Sequence, residues 1–276
     1  MTKTIVIAGA TGGMGRSLAL DRLRRGDTVL AVGSGPGDHL RTAALGIPHG
    51  EERLRFLRAD LSSIAENRRV IEHVTVHHPV IDALVLTANR PHLRRRETPD
   101  GLEYTFALYY LSRYLLGHGL REALEASPAP VILNVAGAGN TAGSISWDDP
   151  QLERRYSMLR AQLQAGRAND LLGVSFAAQA GDRIRYVLYH PGFTDSGSLA
   201  ALPQPLRTLL TVYARFAARS LDQVIPPMSD LLDHPPPAPL TAIDRGTPVP
   251  LTLRTFTPAT AHRLTTLTEK LLTTQK

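Results

Sequence analysis

The string Gly9-Ala10-Thr11-Gly12-Gly13-Met14-Gly15 follows directly on the unbroken apolar run Thr4–Ala8. No other feature restricts the fold of this chain as tightly. A run without polar alternation is expected of a strand buried on both faces. From about Gly13 to Arg25 the chain carries Leu18, Leu20 and Leu23 on a helical pattern that stops at Gly26. A strand that enters a helix through this many glycines brings backbone N–H groups and the positive helix end together with no Cβ in the way. That is a cradle for a pyrophosphate.

The alternation continues along the chain. Strands are expected at Thr28–Val32, Arg55–Ala59, Val80–Thr87, Pro130–Val135 and Arg183–Tyr189. Helices are expected at Ser62–His77 (with Ser63 and Glu66 as a capping box), Asp100–Ala126 and Pro150–Ala180. This order predicts an α/β fold, a doubly wound parallel sheet with right-handed crossovers. From Pro203 onward, helix with breaks at Pro226-Pro227 and Pro235–Pro237 leads to a short strand about Pro248–Leu253 and a final helix, Pro258–Leu272. With no internal repeat or linker, residues 1–276 read as a single domain. Residues 1–200 form its core with the cofactor site, and 201–276 add substrate-side helices and a C-terminal strand and helix.

Composition narrows the function classes. The chain has 276 residues and no cysteine, which excludes disulfides, thiolate catalysis and cysteine metal sites; no metal site is expected. The net charge of +6 comes from scattered arginines, an excess over lysine that fits a GC-rich bacterial genome. The densest cluster, Arg94-Arg95-Arg96, has no interleaved aromatics to stack on bases, so nucleic acid is not expected as a partner. No apolar run nears the ~20 residues of a membrane span. Met1 leads into Thr4-Ile5-Val6-Ile7 with no basic leader, and the expectation is a cytoplasmic protein.

The Gly-x-x-x-Gly-x-Gly spacing resembles the cofactor turn of the short-chain dehydrogenase/reductase family, whose fold is Rossmann-like. The resemblance covers nearly the whole chain. Asp60-Leu61 stands where the family contacts adenine, and Leu84 to Asn89 (with Ala88 and Asn89 closing it) stands at its Asn-Asn-Ala-Gly strand end. Pro191-Gly192 is similar to the Pro-Gly beside the nicotinamide. Trp147-Asp148-Asp149, Ala168-Asn169 and Asp244-Arg245-Gly246 resemble the retinol-dehydrogenase-like branch in particular.

In that family a tyrosine donates a proton to the substrate oxygen, a lysine four residues on tunes it and holds the ribose, a serine polarises the carbonyl, and an asparagine relays protons. Carried over residue by residue, all four positions differ here. Ala136-Gly137 replaces Ser-Ser, Gln162 takes the place of tyrosine, Gly166 that of lysine and Tyr109 that of asparagine. The alternative register, Tyr156 with Arg160, keeps a Tyr-x-x-x-basic spacing but leaves Ala168-Asn169 unmatched, and arginine hardly deprotonates. Gln162 is no acid near neutral pH, and Gly166 has no charge to tune a neighbour.

The catalytic candidates are Tyr109, Gln162, Asn134, His190 and Tyr156. The cofactor candidates are Gly9, Thr11, Gly13, Met14, Gly15, Ser34, Asp60, Leu61, Ala88, Asn89, Pro191 and Gly192. The pocket is expected at the carboxyl ends of the strands, and Tyr110, Trp147 and the loop from His190 to Ser198 are expected to complete its wall. Ser34, which could bond a 2′-phosphate, leans the cofactor toward NADP. These residues read as a specialised-metabolism enzyme that uses the pocket for non-hydride chemistry: cyclisation, isomerisation or elimination of a small molecule. The alternatives are an NAD(P)H-dependent oxidoreductase with an atypical proton donor and a non-catalytic nucleotide sensor. A homodimer through the fourth and fifth helices would follow family habit, with Arg113, Arg154, Arg155 and Arg160 opposing it.

Overall fold

The structure is a computed structural model and describes residues 2–192 and 219–274. Its centre is one eight-stranded sheet of order β3-β2-β1-β4-β5-β6-β7-β8. The strands are β1 (Thr4–Ala8), β2 (Thr28–Gly33), β3 (Leu54–Arg58), β4 (Ala83–Leu86), β5 (Val131–Val135), β6 (Arg185–His190), β7 (Leu240–Asp244) and β8 (Thr247–Pro248). β1 to β7 are parallel, and β8 closes the edge antiparallel to β7. Strand order reverses between β1 and β4, the switch point at which such sheets open a crevice.

Helices cover both faces: α1 (Gly13–Arg24), α2 (Asp38–Leu45), α3 (Gly50–Arg53), α4 (Ile64–His77), α5 (Tyr104–Phe106), α6 (Ser112–Gly119), α7 (Arg121–Glu125), α8 (Met158–Ala180), α9 (Leu221–Asp233) and α10 (Pro258–Thr274). Alternate strand residues feed two separate cores. Val6, Leu30, Leu84 and Ile132 pack with α4 to α8 and α10, whereas Ile5, Ile7, Val29 and Val85 pack with α1 and α9.

Several elements depart from expectation for identifiable reasons. The expected helix Asp100–Ala126 begins only at Tyr104, where the Glu103 carboxylate caps it by accepting from Thr105 N (2.9 Å) and Phe106 N (2.7 Å). It then passes through a π-helical turn, Ala107–Leu111, between α5 and α6. α8 begins at Met158 rather than Pro150, because Ser157 is the residue that caps it. Pro226 and Pro227 do not break the chain but lie inside α9. A Ser220–Gln223 capping box and the burial of Val224, Ile225, Met228 and Leu232 hold that helix despite two lost backbone donors.

The expected strand at Pro248–Leu253 is displaced by the β7–β8 hairpin. Its turn uses positive φ at Arg245 (51°) and Gly246 (88°), the combination that matches strand twist. The region from Pro203 to residue 218 lies outside the described residues.

Candidate functional site

The glycine turn is built as its sequence requires. Gly9 sits at φ +92°, and a Cβ there would lie 2.7 Å from the Ala88 backbone nitrogen. A Cβ on Gly15 would run into the Gly9 carbonyl. Gly12, by contrast, would place its Cβ in open space, and it starts α1 with no side-chain cap. The first amides of α1 are therefore left for a ligand rather than for a capping side chain. Thr11 packs against Gly33, where a Cβ would lie 2.6 Å from its methyl carbon, so turn and β2 interlock.

At the outer end of the cradle Ser34 is exposed. The parallel register sets Gly33 beside Arg58, and Arg58 Nε donates to the Ser34 carbonyl at 3.3 Å. Asp60 is exposed, and its Oδ1 accepts from Ser62 N (3.0 Å) and Ser62 Oγ (2.7 Å); Leu61 is buried in the core. This open, uncapped helix start with glycines at each close approach fits a dinucleotide phosphate.

Through Met14 the cradle adjoins a cavity of about 240 Å³ at the carboxyl ends of β4, β5 and β6. Met14, Tyr109, Gln162, Asn89, His190, Pro191 and Gly192 line it, along with Gly166 and Arg167. Gln162 and Asn89 are locked together: Asn89 Nδ2 donates to Gln162 Oε1 at 2.9 Å, and Gln162 Nε2 donates back to Asn89 Oδ1 at 3.2 Å. One turn along α8, a Cβ on Gly166 would meet nothing within 4 Å. The cavity therefore has room beside Gly166 and presents an amide pair through Gln162, one turn earlier on the same helix.

The remaining candidates fall elsewhere. Tyr156 is not at this cavity; its hydroxyl donates to the His92 carbonyl at 2.6 Å. Asn134 lies fully buried beneath it. Its Nδ2 donates to Asn169 Oδ1 (3.0 Å) and Tyr186 Oη (2.8 Å), and its Oδ1 accepts from Arg113, so no group is left for a substrate. Tyr110 faces the core and bonds Thr268 Oγ1 at 2.7 Å. Trp147 packs on the core under Arg263, whose guanidinium lies 4.1 Å from its ring centre. Of the expected lining loop, residues 193–198 lie outside the described residues. His190 does line the cavity, and its Nδ1 donates to Asp244 Oδ1 at 2.7 Å. Arg245 pairs with the same carboxylate at 3.0 Å.

Three groups were not anticipated in this role. Arg113, expected on an outer helix face, is buried (1% exposed). It donates to the Val135 carbonyl (2.8 Å) and the Ala88 carbonyl (3.1 Å), and its guanidinium stacks 4.5 Å from the centre of the Tyr109 ring. It therefore cannot oppose a contact on the outside of that helix. Arg167 donates to the Gly143 carbonyl (2.7 Å) and Asn140 carbonyl (3.0 Å). Asp170 accepts from Gly139 N at 3.2 Å, and burial pushes its carboxyl up to about 7. The default expectation of arginine on a helix is a solvated face; the apolar length of the surrounding Tyr109 to Leu116 stretch was the available signal that Arg113 turns inward.

A doubly wound sheet with a glycine cradle at its switch point defines a nucleotide-binding α/β protein of the dehydrogenase type. Residues 3–145 match the short chain dehydrogenase family, and the chain belongs to it. It is 34% identical over 193 residues to the Streptomyces sp. (strain C5) protein that goes by the name daunorubicin C-13 ketoreductase DnrU; the match covers 69% of this chain and 65% of that one. It is 29% identical over 195 residues to retinol dehydrogenase 13 of Mus musculus, covering 69% and 58%. These relatives put it in the retinol-dehydrogenase-like branch, although the matches span less than two thirds of either relative's length.

Among solved structures, an uncharacterized protein from Mycobacterium Paratuberculosis superposes with a TM-score of 0.76 at 22% identity, covering 98% of this chain and 92% of that one. L-Sorbose reductase from Gluconobacter frateurii, complexed with NADPH and L-sorbose, superposes with a TM-score of 0.67 at 16% identity, covering 89% and 96%. At such identities the likeness shows the fold alone. No helix among the described residues is long and apolar enough to cross a membrane.

Proposed function

We propose that this chain is an NADP-dependent oxidoreductase of a small carbonyl or alcohol substrate, with a proton donor other than the family's usual tyrosine. The observation that carries the reading is the continuity of cradle and cavity. Met14, in the first turn of α1, shares one cavity with Tyr109 and His190, so a dinucleotide on the helix end would extend toward groups able to exchange protons. When bound, the nicotinamide supplies or accepts hydride. The chain's own residues hold the phosphates on the α1 amides, shape the cavity and supply the proton.

The lean toward NADP rests on Arg58. This exposed cation lies over the end of β2, where Val32-Gly33-Ser34-Gly35 offers no acidic residue to bind an unphosphorylated ribose diol. With the Ser34 hydroxyl beside it, Arg58 would pair with a 2′-phosphate as a charge-assisted contact. Calorimetry should give NADPH at least about tenfold tighter than NADH, and Arg58→Ala should remove most of that difference. Purified protein should also oxidise NADPH in the presence of some member of a ketone panel. Equal affinity for the two dinucleotides would end the NADP assignment, and binding with no turnover of any ketone would favour a sensor.

A second reading has its own observation. Its support is the Asn89–Gln162 amide pair and the open space beside Gly166, which on the Gln162 register would take the positions of the family's donor and ribose-holding cation. They suit a pocket that orients a substrate for cyclisation, isomerisation or elimination through proximity and polarisation. Product formed without net consumption of the dinucleotide would establish it.

A further inference from the structure

We propose that Tyr109 is the proton donor of this cavity and Arg113 the buried cation that stabilises its phenolate. The pair occupies the helical segment that runs from α5 into α6 instead of α8. This rests on the oxidoreductase reading above and names the group that reading leaves open.

The placement is specific. Tyr109 lies within the π-helical turn Ala107–Leu111, a local widening that is frequent at functional sites and that re-aims the side chains it carries. It packs in one buried cluster with two small residues, Ala136 and Ala165. Ala136, Gly137 and Tyr109 line the cavity together, so the ring sits at the loop after β5, where the family's polarising serine would stand. Only 7% of the residue is exposed, and its opening is the cavity itself.

Arg113 follows Tyr109 by four residues, so the spacing Tyr-x-x-x-basic that is missing from α8 is present here. Its guanidinium carries no ion pair with a carboxylate among the described residues; its partners are the carbonyls of Ala88 and Val135, the amide of Asn134 and the Tyr109 ring. A buried cation without a counter-charge is costly. Loss of the Tyr109 proton would supply that counter-charge at 4.5 Å from the ring centre.

The groups facing the phenol are Arg113 and the Gly137 amide, which favour its ionised form, and burial and Asp170, which oppose it. Burial dominates and raises the phenol above its ordinary value, so it stands protonated at neutral pH, as a donor must. In the reductive direction a bound reduced nicotinamide would supply hydride to the carbonyl carbon as the carbonyl π pair moves onto oxygen. That oxygen would take the Tyr109 proton. After the alcohol leaves, one proton taken up from bulk solvent would restore the phenol beside Arg113, so the cycle consumes one proton per hydride transferred.

The test compares wild type, Tyr109→Phe and, as a control for loss of any buried phenol, Tyr110→Phe. Tyr109→Phe should lower kcat for ketone reduction by at least about 100-fold and leave the NADPH dissociation constant within about twofold, while Tyr110→Phe keeps kcat. In protein carrying ring-labelled tyrosine, the Tyr109 resonance, assigned by its absence in Tyr109→Phe, should move when NADP+ is added, because the cationic nicotinamide would lie beside the phenol. Turnover retained within threefold in Tyr109→Phe, or a Tyr109 resonance indifferent to NADP+, overturns the assignment. Failure of wild type to reduce any ketone would instead fail the oxidoreductase reading, and the NADP+ response would still decide whether Tyr109 lies at the reacting end.

Discussion

The two ends of the crevice are held by different parts of the chain. At the cradle, described contacts run through backbone: the amides of Gly9 and Ala10 both donate to the Val32 carbonyl, at 2.8 and 3.0 Å, and glycine is required because another backbone lies too close for a Cβ. At the other end Tyr109 and Arg167 line the cavity, and the buried Arg113 and Asp170 pack behind them. A backbone site tolerates no side chain at the glycines where backbone crosses backbone, Gly9 and Gly15. A side-chain site can be rewritten while the sheet beneath it stays intact, since β4, β5 and β6 place their carboxyl ends in the same crevice whatever those ends carry. The chemistry is therefore the part of this protein free to change.

If that contrast is sound, the largest single effect belongs to the cradle. Gly9→Ala should cost about 3 kcal/mol of stability, because it adds strain at a φ of +92° to a clash with the Ala88 backbone. It should also abolish dinucleotide binding. Gly12→Ala, only three positions on, should stay within about 0.5 kcal/mol of wild type in urea denaturation, since its Cβ meets open space and its φ of −161° suits any residue. Equal costs at the two positions would remove the backbone argument.

The next effect in size tests the other end. The Asp170 carboxyl is raised to about 7 in the folded chain and titrates in the ordinary carboxylate range when unfolded. Its folded pKa is above its unfolded one, so the stability it contributes is complete below about pH 4 and is lost as pH rises through 7. Asp170→Asn should consequently be more stable than wild type by about 2 kcal/mol at pH 8 and nearly equal to it at pH 4.5, read from denaturation midpoints at both pH values. A difference independent of pH would mean that Arg167, 3.9 Å away, and the Gly139 amide compensate the charge fully.

The same contrast explains which parts of the molecule were readable beforehand. β1, the glycine turn and α1 follow from Thr4–Ala8 and the glycines because steric demands on backbone leave a signature in residue type. Of the two candidate registers, Gln162 lines the cavity, while Tyr156 bonds the His92 carbonyl away from it. Arg58 was not connected with Ser34, because they are 24 residues apart and meet only through the β2–β3 register. Arg113 and the π-helical turn were missed for a related reason. Helical periodicity assumes a regular rotation per residue, and a π turn shifts every side chain that follows. β7 went unseen because Leu240-Thr241-Ala242-Ile243-Asp244 is half-buried and mixed in character, and its strand identity comes from pairing with β6.

The smallest expected effect separates two reasons for a glycine in the middle of α8. A helix-interior glycine costs roughly 0.5–1 kcal/mol relative to alanine, and a Cβ at Gly166 touches nothing within 4 Å, so Gly166→Ala should raise stability by about that much. Were the glycine merely a remnant of a discarded lysine position, the variant would gain stability and keep its kcat/KM. Should the cavity need that room for substrate, kcat/KM would fall while stability and NADPH affinity hold. Gly166→Lys extends the comparison, because an ammonium in the same space would restore a ribose contact and tighten NADPH binding. A lysine that tightens the cofactor yet lowers kcat/KM would mean the reacting end gave up cofactor affinity to make room for its substrate.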